Sequence, residues 1–80
     1  MAHGHRVLRS IETDDGARCV DLFARIDGTF GFEEYRRDIE DGRGWFAIGF
    51  HASASFATAD NALRDALAKV EWLRAVVDRD

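Results

Sequence analysis

The chain has no proline, a single cysteine and no long apolar run, and each shortage excludes a class of structure. Without proline there is no rigid linker and no cis-proline turn. Cys19 cannot form an internal disulfide and leaves no cysteine zinc site. No apolar segment approaches the ~18–20 residues that cross a bilayer, so no membrane partner is expected.

The charge balance is mildly acidic, with a formal net charge of -4 over 80 residues. This balance argues against a broad electrostatic hold on nucleic acid, although ten of the eleven basic residues are arginine and can form a local patch. At this length the chain is expected to be one domain, 1–80, near the lower limit for a single hydrophobic core. Residues 1–5 are expected to be disordered, and the N-terminal segment lacks the apolar core of a secretory signal, which favours the cytoplasm.

The dipeptide Asp-Gly recurs three times, at 15–16, 27–28 and 41–42. Asp-Gly between alternating segments is typical of β-hairpins, because glycine adopts positive φ without steric cost. The segments between these dipeptides have the length and alternation of strands. They predict antiparallel strands over 6–12, 17–26, 29–37 and 44–56, and the three-stranded alternative lacks the first of these.

The second Asp-Gly allows the strand register to be predicted. A three-residue loop over 26–28 pairs Ala24 with Phe30 and Leu22 with Phe32, so that apolar residues face each other. A two-residue turn would shift the register and break these apolar pairs. We therefore expect the three-residue loop. The same arrangement at the third Asp-Gly gives two further pairs: Phe32 with Phe50, and Arg37 with Trp45.

The C-terminal third of the chain has the pattern of a helix. Thr58 is a good N-cap, Asp60 lies in the first turn, and no helix breaker follows. The apolar stripe at helical spacing is Leu63, Ala66, Leu67, Val70, Leu73 and Val77. The predicted fold class is α+β, a three- to four-stranded antiparallel β-meander with one C-terminal α-helix packed on one face.

The alternation divides the sheet into a core face and an outer face. The core face, expected to pack on the helix, holds Val20, Leu22, Ala24, Phe30, Phe32, Phe46, Ile48 and Phe50. The outer face holds Val7, Ile11, Cys19, Phe23, Tyr35 and Trp45, with Arg9, Asp21, Arg25, Glu33, Arg37 and His51 among them. Nothing is left in the chain to cover this face, and large exposed apolar patches mark partner or ligand sites. The alternatives are isolated surface apolar residues, or chain ends that fold over them.

The leading hypothesis is a small non-catalytic protein-interaction module that forms a homodimer or binds another protein through the outer face. Its candidate interface residues are Phe23, Tyr35, Trp45, Arg25, Arg37 and Trp72. Trp72 is interpreted first as outer core at the sheet edge and second as a contact with another chain. The alternative function is weak single-stranded RNA or DNA binding, in which these aromatic residues stack on bases beside arginines. Acidic neighbours would repel phosphates, so this ranks second; small-ligand binding ranks third.

The segment 51–55, "HASAS", raises the question of catalysis, since an imidazole can activate a serine hydroxyl. However, His51, Ser53 and Ser55 alternate with apolar residues and there is no nucleophile-elbow motif, so a strand is expected and no enzyme. His3 and His5 have the spacing of a weak chelate at a chain terminus, without further ligands. No metal and no cofactor are predicted, and Cys19 is interpreted as a small inert hydrophobe.

The meander followed by "SFATADNALRDAL" at 55–67 resembles small bacterial β-β-β-α domains, in which a last strand leads through a threonine cap into an alanine-rich helix. It is similar in this pattern to the HicB-type antitoxin core, over roughly the last fifty residues. The chain lacks the proline-bearing loop before the final strand and an appended DNA-binding segment. The resemblance implies a toxin as the partner, by analogy of fold alone.

Overall fold

A computed structural model describes residues 5–38, 40 and 42–79. Its elements are β1 (His5–Glu12), β2 (Arg18–Arg25), β3 (Phe30–Arg36), β4 (Phe46–Ala47), α1 (Ala59–Lys69) and α2 (Leu73–Asp78). The four strands form one antiparallel sheet in the order β1-β2-β3-β4. The predicted α+β class is confirmed. The disorder expected for residues 1–5 falls mainly outside the described residues, and His5 begins β1.

The β2–β3 turn has the predicted three-residue loop. Leu22 pairs with Phe32 and Ala24 with Phe30, and the Arg25 N–H donates to the Thr29 carbonyl at 2.8 Å. Gly28 has a φ of 90°, a left-handed value that glycine adopts at no steric cost. The register predicted from the apolar pairs is therefore confirmed.

A β-bulge in β1 changes which side chains of this strand face the core. The register shifts between Val7 and Arg9, so that Val7 pairs with Phe23 but Arg9 pairs with Leu22. The extra residue reverses the alternation from that point on. Ile11 is consequently buried in the core, and its predicted place on the outer face is wrong. The reason is the bulge, which alternation alone cannot locate.

The predicted strand 44–56 is wrong in length, since only the two residues of β4 form a strand. The hairpin starts in the predicted register, with Tyr35 opposite Ala47. Pairing then stops after the Ile48 N–H donates to Glu34, and returns only at the bridge between Phe30 and Phe56. Between these two contacts the chain runs from residue 48 to residue 56, whereas β3 runs only from residue 34 to residue 30. The additional residues, 49–55, form a loop. Small residues of low β-propensity dominate the loop.

Two aromatic residues predicted for the core face are consequently exposed. Phe50 lies in the loop and is 84% exposed, so its predicted pairing with Phe32 does not form. Phe46, in β4, is 44% exposed. Both core predictions are wrong, and both side chains belong to the surface around β4.

The predicted helix is present but is interrupted. Thr58 caps α1 as predicted, and its Oγ1 accepts the Asn61 N–H at 3.0 Å. Val70 then adopts an extended conformation (φ -103°, ψ 105°), and the chain turns before α2 begins. With the helix broken here, both Val70 and Leu73 are buried in the core. The prediction of one continuous helix is therefore wrong, since the chain forms two helices.

The core lies between the sheet and the two helices. Its buried members are Ile11, Val20, Leu22, Phe32, Ala62, Ala66, Val70 and Leu73. Partly buried apolar residues around it are Phe30, Phe56, Leu63, Leu67, Trp72, Val76 and Val77. The helices therefore cover one face of the sheet, as predicted. In the described part of the chain, neither helix has the length and apolar character needed to span a membrane.

Candidate functional site

The predicted outer face exists, but its centre is covered by the chain itself. Phe23 is only 4% exposed. The His5 ring lies 4.6 Å from the Phe23 ring, and the Arg25 guanidinium lies 4.9 Å from its centroid. Phe23 was predicted as an interface residue because nothing seemed left to cover it. That expectation is wrong at Phe23, since residues of its own and the neighbouring strand shield it.

Arg25, another predicted interface residue, holds the 49–55 loop. It reaches over Gly31, where an added Cβ would come within 2.8 Å of the guanidinium. Its guanidinium donates to the Ala52 carbonyl, to the Ala54 carbonyl at 3.1 Å and to Ser55 Oγ at 3.3 Å. The donors of Arg25 are therefore used inside the chain, and its role is to fasten the loop to the sheet.

Glu33 fastens the other end of the same loop. Although charged, it is only 4% exposed, and its Oε1 accepts the N–H groups of His51 at 3.1 Å and of Glu34 at 2.9 Å. The His51 ring stacks on Phe32 with centroids 4.8 Å apart. His51 and Ser55 of "HASAS" thus contribute hydrogen bonds and packing that hold the loop.

Tyr35 and Trp45 border a cleft that remains open on the outer face. Its volume is about 170 Å³, and its lining residues are Ser10, Glu12, Cys19, Asp21, Tyr35 and Trp45. Asp21 Oδ1 accepts the Ser10 hydroxyl at 2.6 Å and the Cys19 thiol at 3.2 Å. The bulge in β1 brings Ser10 opposite Asp21, so the sequence pattern could not have placed this hydrogen bond.

Burial, together with the acidic lining of the cleft, raises the pKa of two neighbouring groups, Cys19 and Tyr35. Burial and the hydrogen bond to Asp21 raise the pKa of the Cys19 thiol to about 12, and the charges of Asp21 and Glu12 add to the effect. Burial raises the pKa of Tyr35 as well, with a smaller contribution from Asp21 and Glu33. At neutral pH Cys19 is a thiol, which is not the nucleophilic form.

Arg37 and Trp45, both predicted interface residues, lie against each other beside the cleft. The Arg37 Cζ is 4.5 Å from the centroid of the Trp45 ring, and its Nε donates to the Gly16 carbonyl at 2.9 Å. Trp45 remains 37% exposed. The predicted alignment of these two residues across the β3–β4 hairpin is consistent with this contact, and they remain candidates for binding.

The exposed aromatic residues are concentrated around β4. We call Trp45, Phe46 and Phe50 the β4 rim. The Arg43 guanidinium lies 6.0 Å from the Phe46 ring. Sequence reasoning missed Phe46 and Phe50 because it continued the alternation through Gly49. That glycine and the run of small residues after it were the available signals that the strand ends early.

Trp72 lies on the helix side of the sheet, against the core. It is partly buried against the core, and its Nε1 donates to Glu34 Oε2 at 2.9 Å. Arg18 approaches the same carboxylate at 3.6 Å. This packing matches the interpretation of Trp72 as outer core.

Among the described residues, no three His, Cys, Asp or Glu side chains group as metal ligands, and His3 of the weak chelate lies outside them. No family model, curated protein or solved structure matches the chain. The resemblance to the HicB-type core therefore stays a prediction. The candidate functional features are the acidic, aromatic cleft and the β4 rim.

Proposed function

We propose that the protein is a small non-catalytic interaction module that associates with a second copy of itself through the β4 rim. The observation that carries the proposal is the concentration of exposed aromatic side chains at one sheet edge. Phe50 is almost fully exposed, Phe46 is nearly half exposed, and Trp45, which precedes Phe46 in the chain, is 37% exposed. Exposed aromatic clusters of this kind are characteristic of protein interfaces.

The two edges of the sheet differ in a way that supports this choice. β1 carries the charged side chains Arg6, Arg9 and Glu12 along its exposed length, and charges on an edge strand oppose pairing with another chain. β4 contains only Phe46 and Ala47, and it has a strand neighbour on one side only. Its outer backbone groups can pair with an added strand.

A second copy suits the rim because a twofold axis brings identical surfaces together. In an antiparallel arrangement of two β4 strands, the aromatic side chains of each copy would lie against those of the other. The domain is short, and burying additional apolar surface between copies is a common way to stabilise a small core. The proposal includes the predicted location in the cytoplasm, where a single cysteine stays reduced.

The observations weigh against the predicted stacking platform for single-stranded nucleic acid. Phe23 is buried and cannot stack on a base. Tyr35 lies close enough to Asp21 and Glu33 for their charges to raise its pKa. Carboxylates at that position would repel a phosphate backbone, so protein association is the better supported function.

Sedimentation or light scattering over a range of protein concentrations tests self-association. The protein is expected to dimerise, and the double variant Phe46→Ser/Phe50→Ser is expected to remain monomeric. Ile26→Ser is the matched control, because it removes an exposed apolar side chain at the β2–β3 turn, away from the rim. A protein that is monomeric at every concentration, or a rim variant that still dimerises, would contradict the proposal.

A further inference from the structure

We propose that the outer-face cleft binds an arginine side chain of a partner protein. This inference rests on the proposed role in protein interaction, and it names the chemistry that one surface would recognise. The cleft lies beside the β4 rim and shares only Trp45 with it. Arginine binding and self-association can therefore be measured separately.

The first argument is the charge of the cleft lining, which contains two carboxylates and no basic side chain. Glu12 and Asp21 line it, and neither carboxylate forms an ion pair with any of the described residues. The partners of Asp21 are the neutral Ser10 hydroxyl and Cys19 thiol, which both donate to Oδ1. The other oxygen of Asp21 and the Glu12 carboxylate are left to accept hydrogen bonds from a cation.

The second argument comes from the aromatic lining. Tyr35 and Trp45 present flat ring surfaces next to the carboxylates, and a guanidinium stacks on such rings while it donates in its own plane. The chain already uses this chemistry, for example with Arg25 over Phe23 and Arg37 over Trp45. Carboxylates and aromatic rings together favour a planar organic cation over an anion or an apolar group.

The size of the cleft limits the ligand to the end of one side chain. Its volume of about 170 Å³ lies below the roughly 300–1,000 Å³ of pockets that take a drug-sized ligand. A nucleotide or a large cofactor would not fit. Arginine is favoured over lysine because its five donors form a rigid fork that can reach the separate acceptors Glu12 and Asp21 at the same time.

The probe for the test is a blocked tripeptide, acetyl-Gly-Arg-Gly-amide, titrated at low salt and followed by two-dimensional ¹H–¹⁵N NMR. The indole signal of Trp45 is expected to shift with saturation. The indole of Trp72, which donates to Glu34 on the other side of the sheet, is the internal control and should not move. The same peptide with citrulline in place of arginine keeps the shape but loses the charge, and it should not bind.

Variants connect the binding to the cleft. Asp21→Asn and Glu12→Gln are each expected to weaken binding about tenfold, since each removes a charged hydrogen-bond acceptor. Glu12 is exposed, so its variant should fold normally even if Asp21→Asn does not. Asp78→Asn removes a negative charge at the end of α2 and should leave binding unchanged.

Three results would overturn the proposal: equal binding of the citrulline peptide, equal binding of a lysine peptide, or unchanged affinity in Glu12→Gln. Repeating the titration on Phe46→Ser/Phe50→Ser separates this inference from self-association. Arginine binding that survives in this variant supports the cleft whatever the oligomeric state. A dimer that shows no arginine binding would leave the rim proposal standing and remove the cleft.

Discussion

The guanidinium of Arg37 lies over the ring of Trp45, with its Cζ 4.5 Å from the ring centroid. Arg37 is held by two backbone carbonyls of the β1–β2 turn region, since its N–H donates to Ala17 and its Nε to Gly16, both at 2.9 Å. A side chain of the β3–β4 hairpin is thereby fixed to the β1–β2 turn, which lies at the same end of the sheet. Trp45 keeps its place beside the cleft because Arg37 is anchored in this way.

Replacing Arg37 with alanine should therefore loosen Trp45. We expect a loss of about 0.5–1 kcal/mol in the free energy of unfolding, the usual size of an exposed cation–π contact. The Trp45 fluorescence should shift to longer wavelength as the ring becomes more hydrated. Arg43→Ala is the control, because its guanidinium lies near Phe46 instead. An unchanged spectrum for Arg37→Ala would show that Trp45 is positioned without it.

Gly31→Ala should destabilise the sheet. The added Cβ would lie 2.8 Å from the Arg25 guanidinium and 2.9 Å from the Phe23 ring. We expect about 1–3 kcal/mol of destabilisation in chemical denaturation, as for other overpacked sites. The double variant Gly31→Ala/Phe23→Leu should recover part of this loss, because leucine lacks the ring atoms that collide. Additive losses would argue against the contact as the cause.

The stability of the protein should fall at high pH through Cys19. The pKa of the thiol is about 12 in the folded protein, whereas its ordinary value of 9.0 applies to the unfolded chain. Between these values the unfolded chain releases the proton first, so unfolding is favoured increasingly as the pH rises from about 9 towards 12. Below pH 9 the stabilisation is fully present.

This pH effect can be measured by comparing Cys19→Ala with the unchanged protein by denaturant unfolding between pH 8 and 11. The difference in their free energies of unfolding should shrink with increasing pH. In the folded protein the thiol should also react slowly with iodoacetamide at pH 8, since little thiolate is present. A parallel pH dependence in both proteins, or rapid alkylation, would contradict the assignment.

The sequence predicted the class of fold and the β2–β3 register because these depend on alternation and on one turn. Leu22 opposite Phe32 follows directly from the spacing around Gly28. The bulge that places Ile11 in the core depends on how β1 pairs with β2, and no residue in the sequence of β1 indicates it. Likewise, Phe50 continues the apolar alternation, although Arg25 and Glu33 hold its loop away from the strand path.

The candidate site was predicted in part for the same reason. Tyr35, Trp45 and Arg37 lie on the outer face where alternation placed them, and the first two line the cleft. Phe23 also lies on that face, but the sequence could not show that His5 and Arg25 would cover it. In a strand without a bulge, the face that a side chain occupies follows from strand periodicity, whereas its exposure depends on contacts between strands.

The last prediction concerns the loop at 49–55, which Arg25 fastens to the sheet. Arg25→Met keeps an apolar side chain over Phe23 but removes every donor to the loop. We expect backbone amides in the loop, including the His51 N–H that donates to Glu33, to exchange with solvent faster. The amides of the β2–β3 ladder should keep their protection.

Arg18→Met is the matched control for this variant. Arg18 lies at the other end of β2 and forms an ion pair with Glu34, at 3.6 Å, without contacting the loop. Hydrogen exchange measured by mass spectrometry should therefore separate the two variants. If the loop amides exchange equally fast in both, Arg25 does not hold the loop. If they become faster only in Arg25→Met, the loop is a locally opening unit whose stability depends on this one side chain.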